Sequence, residues 1–286
     1  MLIDPSKKIL IVGLGLLGGS YAMALKKKGY SVSAIDIKES SINYALEHKL
    51  IDKGSVEVDK SLLDEADIIV FALYPHTFLK WIDDYAHLIK KGTILTDVTG
   101  VKGGVVSYVQ DAIPEGVEFI AAHPMAGREV SSVENSDDSI FKGANFIVVP
   151  TEKNTFSAIE LCKSLGHELG FKDVSQLPVE RHDEMIAFLS QLTHCIAVSL
   201  MCANDDPNLE KYTGDSFRDL TRIANINDEM WSELFISNRE VLLTQMDKYK
   251  SAFDKLYKCI VKGDREEMRS MMCLSSERRR NFDKKL

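Results

Sequence analysis

The run Gly13-Leu14-Gly15-Leu16-Leu17-Gly18 constrains the fold of this chain more than any other stretch. It follows a short β-branched segment, Lys8-Ile9-Leu10-Ile11-Val12. It opens a segment from Leu17 to Lys28 whose apolar residues recur at helical spacing and stop at Gly29, a residue that tolerates positive φ. Strand, glycine turn and helix in that order predict a nucleotide-binding unit. A second strand is expected over Ser31 to Ile35, ending at Asp36, about twenty residues past the turn. In this setting Gly13 allows the tight turn, Gly15 lets the backbone approach a pyrophosphate, and Gly18 permits close helix–strand packing. The helix start at Leu16 and Leu17 offers unpaired N–H groups to phosphates. Asp36 would accept hydrogen bonds from ribose hydroxyls and repel a 2′-phosphate, so NAD is expected rather than NADP, with Lys38 nearby pulling the other way.

Further strand-like runs occur at Ile68 to Ala72, Thr93 to Thr96, Glu118 to Ala122 and Asn145 to Val149, mostly separated by helix-like segments. That alternation predicts parallel pairing with helices on both faces of the sheet. The pattern changes near Leu177-Pro178. From Val179 onward no strand is expected, and Met185, Phe188, Leu189, Leu192, Ile196 and Leu200 recur at helical spacing until Asp205-Asp206-Pro207-Asn208 breaks the run. The expected fold is α/β: a Rossmann-type dinucleotide-binding domain over 1–176, then an all-helical domain over 177–286 for substrate binding and dimerisation.

A net charge of −8 argues against a general nucleic-acid binder. The five cysteines show no Cys-x-x-Cys pair, which predicts reduced, mostly buried thiols and a cytoplasmic protein. No stretch reads as long and apolar enough to span a bilayer, so no membrane partner is expected. No metal site is expected either.

Chemistry belongs at the carboxyl ends of the later strands. Three of these carry polar groups: Tyr74-Pro75-His76, Asp97-Val98-Thr99 with Lys102, and His123-Pro124-Met125-Ala126-Gly127-Arg128-Glu129. In the last, proline stiffens the loop and glycine permits a close approach to a ligand, which suits a catalytic imidazole. In the helical half, His194 lies within an apolar helix. Arg218 and Arg222 stand four apart on one predicted helix face, where a salt bridge to Asp219 or Glu229 competes with recognition of a substrate carboxylate.

With these residues the chain resembles the prephenate/arogenate dehydrogenases of tyrosine biosynthesis, nearly end to end. The resemblance rests on Gly13 to Gly18, Asp97 to Lys102, the His123 to Glu129 loop, Ser190 to His194, Phe217 to Ala224, Met230-Trp231 and Asn238-Arg239-Glu240. It implies a homodimer that oxidises and decarboxylates prephenate with NAD, His123 accepting the proton of the 4-hydroxyl. It further implies that Arg222 holds a substrate carboxylate, with Arg218 next in line, that His194 contacts substrate, and that Glu129 lies at the pocket entrance. The chain departs from the family at Gly100, usually serine, so Thr99 is expected to supply the hydroxyl near His123. It also reads Ser190-Gln191-Leu192-Thr193-His194 where Ser-His-Leu-Pro-His is usual, putting Gln191 in the substrate set.

Two alternatives remain at this level besides arogenate as substrate. A β-hydroxyacid-type dehydrogenase would carry a catalytic lysine in its second domain, and no lysine occurs between Lys172 and Lys211. A nucleotide-sensing protein without turnover is favoured only by Gly100 and Gln191. The chain is expected to act as a stand-alone catalytic unit, with any inhibition by tyrosine exerted in the pocket of His123, His194 and Arg222.

Overall fold

A computed structural model of the chain describes residues 3–128 and 130–282. Strands β1 (Lys8–Val12), β2 (Ser31–Ile35), β3 (Lys53–Ser55), β4 (Ile68–Phe71), β5 (Ile94–Asp97) and β6 (Glu118–Phe119) form a parallel sheet in the order β3-β2-β1-β4-β5-β6. The order reverses beside β1, and ligands of such sheets sit at the carboxyl ends of the strands at that point. Helices α1 (Leu16–Lys27), α2 (Glu39–Glu47) and, later in the chain, α6 (Phe156–Glu168) pack on one face; α3 (Lys60–Glu65), α4 (Pro75–Tyr85) and α5 (Val105–Ala112) pack on the other. Along β1, Ile9 and Ile11 join the first cluster while Leu10 and Val12 join the second. Burial on both faces is why these strands read as unbroken apolar runs.

The run Glu118 to Ala122 is not one strand. Ile120 still donates its N–H to Leu95 O at 2.9 Å. At Ala122, however, side chains take both backbone groups: Asp97 Oδ1 accepts its N–H at 3.1 Å, and Lys102 Nζ donates to its carbonyl at 2.6 Å. The chain therefore leaves β5 and continues as β7 (Ala121–Pro124) in a second sheet with β8 (Asn145–Val149) and β9 (Asp173–Gln176). There β7 runs antiparallel to β8, a correction to the all-parallel expectation. Strands β3 and β9 also escape the sequence pattern. Both are edge strands rich in Lys, Gly, Ser, Asp and Gln, with little apolar surface to bury.

After β9 the described residues form only helices: α7 (Val179–Ile186), a π-helical segment (Ala187–Gln191), α8 (Leu192–Cys202), α9 (Asp215–Thr221), α10 (Asp228–Ser237), α11 (Arg239–Lys262) and α12 (Arg265–Arg279), with short 3-10 turns. The run Val179–Cys202 is a continuous helix, long and apolar enough by length and composition to cross a membrane, so the expectation that no such stretch exists is corrected. Its polar Gln191 and His182 are buried among protein groups. The thiol expectation also changes: Cys162 and Cys259 are buried, Cys195 is half-buried, and Cys202 and Cys273 are exposed, all of them free.

The chain packs as two units, 1–238 and 239–286. In the second, α11 and α12 turn at Gly263, φ +66°, and Asp264 caps α12 by accepting the Glu267 N–H at 3.1 Å. Tyr249, Phe253, Tyr257 and Ile260 form an exposed apolar stripe on α11 at helical spacing.

Candidate active site

The glycine turn fits a dinucleotide. Gly13 has φ +97°, and a Cβ on Gly18 would lie 1.9 Å from Gly13 O, so the helix packs on the turn only with glycine there. A Cβ on Gly15 would meet nothing within 4 Å, which leaves the backbone approachable. Gly15 is the N-cap of α1 and no side chain caps the helix, so its first turn faces the strand ends uncovered. Asp36 spans this turn: its carboxylate accepts the N–H of Leu14 at 2.6 Å and of Lys38 at 2.8 Å. Gly19, unremarked in the sequence, has its Cβ position 2.0 Å from Ser136 Oγ, because the loop after β7 packs against α1.

The second group centres on His123 at the end of β7. Lys102, fully buried, donates to Asp97 Oδ2 at 2.6 Å and to Ala122 O at 2.6 Å, so one buried ion pair fixes the residue before His123. Burial pulls the Lys102 ammonium down from its ordinary value, and Asp97 pulls it back up. His123 Nδ1 lies 2.9 Å from His182 Nε2, and His182 Nδ1 lies 2.7 Å from Asp183 Oδ1. Asp183 in turn accepts the backbone N–H groups of Lys102 at 2.9 Å and Gly103 at 2.6 Å. Burial, then His182 and Lys102, hold the His123 imidazole well below its usual value of 6.5. Burial likewise lowers His182, opposed by Asp183. His182 and Asp183 were missed in the sequence. A His-Asp pair one turn past Pro178 is the only local signal, and it does not reveal a partner 59 residues away.

Thr99 does not serve His123. Its hydroxyl donates to Asp97, it receives Lys102 Nζ at 3.2 Å, and it is buried within that cage. The position facing the ring is Gly100, whose Cβ would lie 4.0 Å from His123 Cε1 and 3.5 Å from Leu234 Cδ2. Gln191 is also redirected. Buried within the helices, its amide donates to Leu234 O at 2.8 Å and accepts from Asn238 Nδ2 at 2.8 Å, so it braces α10 against the π segment.

On the same α10, Trp231 stacks on His194, ring centroids 3.7 Å apart, while His194 Nδ1 reaches Ser190 O at 2.9 Å. Trp231 and Leu234 are one turn apart, which puts the His194 and His123 groups along one side of the helix. The helix is tied to the nucleotide side as well: Glu233 accepts the His76 N–H at 2.5 Å and Asn227 donates to Tyr74 OH at 3.3 Å. Arg218 and Arg222 do not share a helix, because α9 ends at Thr221 and Arg222 opens a 3-10 turn packed on α8. Arg218 pairs with Asp215 at 2.7 Å, neither Asp219 nor Glu229. Arg222 is exposed. Glu129 lies outside the described residues.

Residues 21–174 match the family model described as prephenate dehydrogenase, nucleotide-binding domain, and residues 178–274 match prephenate dehydrogenase, dimerization domain. The chain is 30% identical over 270 residues to prephenate dehydrogenase of Bacillus subtilis, covering 91% of this chain and 72% of that protein. It is 27% identical over 266 residues to cyclohexadienyl dehydrogenase of Zymomonas mobilis, with 90% of each covered. The crystal structure of A. aeolicus prephenate dehydrogenase in complex with hydroxyphenyl propionate and NAD+ superposes with a TM-score of 0.89 at 28% identity, covering 97% of this chain and 98% of that one.

Proposed function

The chain belongs to the prephenate dehydrogenase family, and from that premise we propose that it carries out the NAD-dependent oxidative decarboxylation of prephenate to 4-hydroxyphenylpyruvate. The observation that carries the reading is His123, held neutral by burial and fixed at the end of β7 by Lys102 on the preceding carbonyl and by His182 on its ring. His123 takes the proton of the substrate's 4-hydroxyl as hydride leaves the same carbon. When bound, NAD supplies the hydride acceptor. The bond to the ring carboxylate then breaks, CO2 departs, its electron pair completes the aromatic ring, and the 4-oxygen takes the proton back from His123. Gly13, Gly15, Leu16, Leu17 and Gly18 hold the pyrophosphate and Asp36 the ribose. Arg222 holds a substrate carboxylate, since a guanidinium fork matches that group, and His194 on Trp231 walls the pocket.

The domain division at 176/177 belongs to this reading, as does a cytoplasmic homodimer whose contacts include the exposed α11 stripe. Purified protein mixed with prephenate and NAD should produce NADH at a rate proportional to enzyme, with arogenate tested in parallel. No NADH from either substrate would end the proposal, and NADH from arogenate alone would replace the substrate.

A further inference from the structure

We propose that His182 and Asp183 are positioning residues that fix the tautomer of His123, leaving Nε2 as the atom that accepts the proton. The proposal deepens the role given to His123 above and rests on it for its catalytic consequence. The backbone N–H groups of Lys102 and Gly103 point at Asp183 Oδ1 and Oδ2, at 2.9 and 2.6 Å. Both Asp183 oxygens therefore act as acceptors. His182 Nδ1, 2.7 Å from Oδ1, must then be the donor.

A neutral imidazole has one N–H. With it on Nδ1, His182 presents a lone pair at Nε2, and the atom facing that lone pair at 2.9 Å is His123 Nδ1. His123 Nδ1 is consequently the donor, and its own lone pair is on Nε2. When the substrate proton arrives there, the new charge is shared along Nδ1–H toward His182 and backed by the Asp183 carboxylate. No other bond forms or breaks in this step. The remaining charges facing the ring are Lys102 and its partner Asp97, already paired with each other.

The anchor leaves no slack. A Cβ on Gly103 would stand 2.8 Å from Asp183 Oδ2, so glycine is what lets the carboxylate reach both amides. His182 is fully buried, which keeps water from offering the ring a competing partner.

The test is 15N NMR of histidine-labelled protein without substrate or NAD, with His123→Asn and His182→Leu used to identify the signals. The expected spectrum has Nδ1 protonated and Nε2 unprotonated on both His123 and His182. His182→Leu should lower kcat by about 100-fold or more with KM little changed, the scale of a misplaced general base. His182→Gln, which retains an acceptor, should recover part of that loss. Protonation of His123 at Nε2 in the unmodified protein overturns the proposal, as does His182→Leu with normal kcat. The NMR result involves no turnover and no variant's activity. It therefore decides the tautomer even if His182→Leu does not fold, and it fails independently of the reaction assigned above.

Discussion

The His123 ring has Lys102 and His182 for neighbours, and burial more than either keeps it uncharged. Replacing it with asparagine should lower kcat by about 10²- to 10⁴-fold, the usual effect of removing a general base, while NAD affinity holds; near-normal turnover would remove it from the mechanism. The same burial sets a pH dependence. His123 and His182 both lie below 6.5 in the folded chain and return to about that value when unfolded. Below about pH 6.5 the unfolded chain therefore binds protons that the folded one does not. Stability is full above that pH and falls as pH drops, by up to about 1.4 kcal/mol per pH unit for each ring. Urea unfolding at stepped pH reads this directly, and a midpoint unchanged between pH 7.5 and 5.5 would contradict it. Arg222→Ala should cost about 1.5–3 kcal/mol of substrate binding, seen as a raised KM for prephenate, because a charge-assisted partner is lost. An unchanged KM would move the carboxylate to another cation.

The segment joining β5 to α5 supplies Asp97 and Lys102 to hold β7, Gly103 to receive Asp183, and Gly100 to face the ring. Its spacing is demanding, yet Gly100 retains room. Gly100→Ser should fold with stability within about 1 kcal/mol of the parent, because its Cβ meets Leu234 and His123 at ordinary contact distance. A variant that unfolds several kcal/mol more easily would mean the space is not there. What was legible in the sequence follows the range of the interaction. The glycine turn, Asp36 and the β–α alternation are written in neighbouring residues, and His123 stands out through its own loop. The switch of sheet after Ile120 is not legible, because it depends on side chains reaching back from Asp97 and Lys102. Thr99 misleads for a related reason, since Asp-x-Thr does not say whether the hydroxyl turns toward the ring or back to the carboxylate. The π-helical segment ending at Gln191 is invisible as well. Its wide turn comes from packing, and such turns recur at functional sites.

Across residues 1–238 the candidate groups are supplied by different elements. The glycine turn and Asp36 lie in the parallel sheet and α1, while the partners of His123 come from α7 and those of His194 from α10. Mild urea that loosens 179–238 first should leave NAD binding measurable while NADH production is already lost; simultaneous loss of both would show one cooperative unit. The buried Lys102–Asp97 pair gives the His123 ring its location, and the Asp183–His182 pair gives it its polarity. Location comes from 97–102 and polarity from 182–183, and the two meet where Asp183 accepts the Lys102 and Gly103 N–H groups. A lineage that lost Asp183 would leave the Lys102 and Gly103 amides and the His182 ring without their shared acceptor, so the orientation of His123 would loosen even where the residue itself was kept.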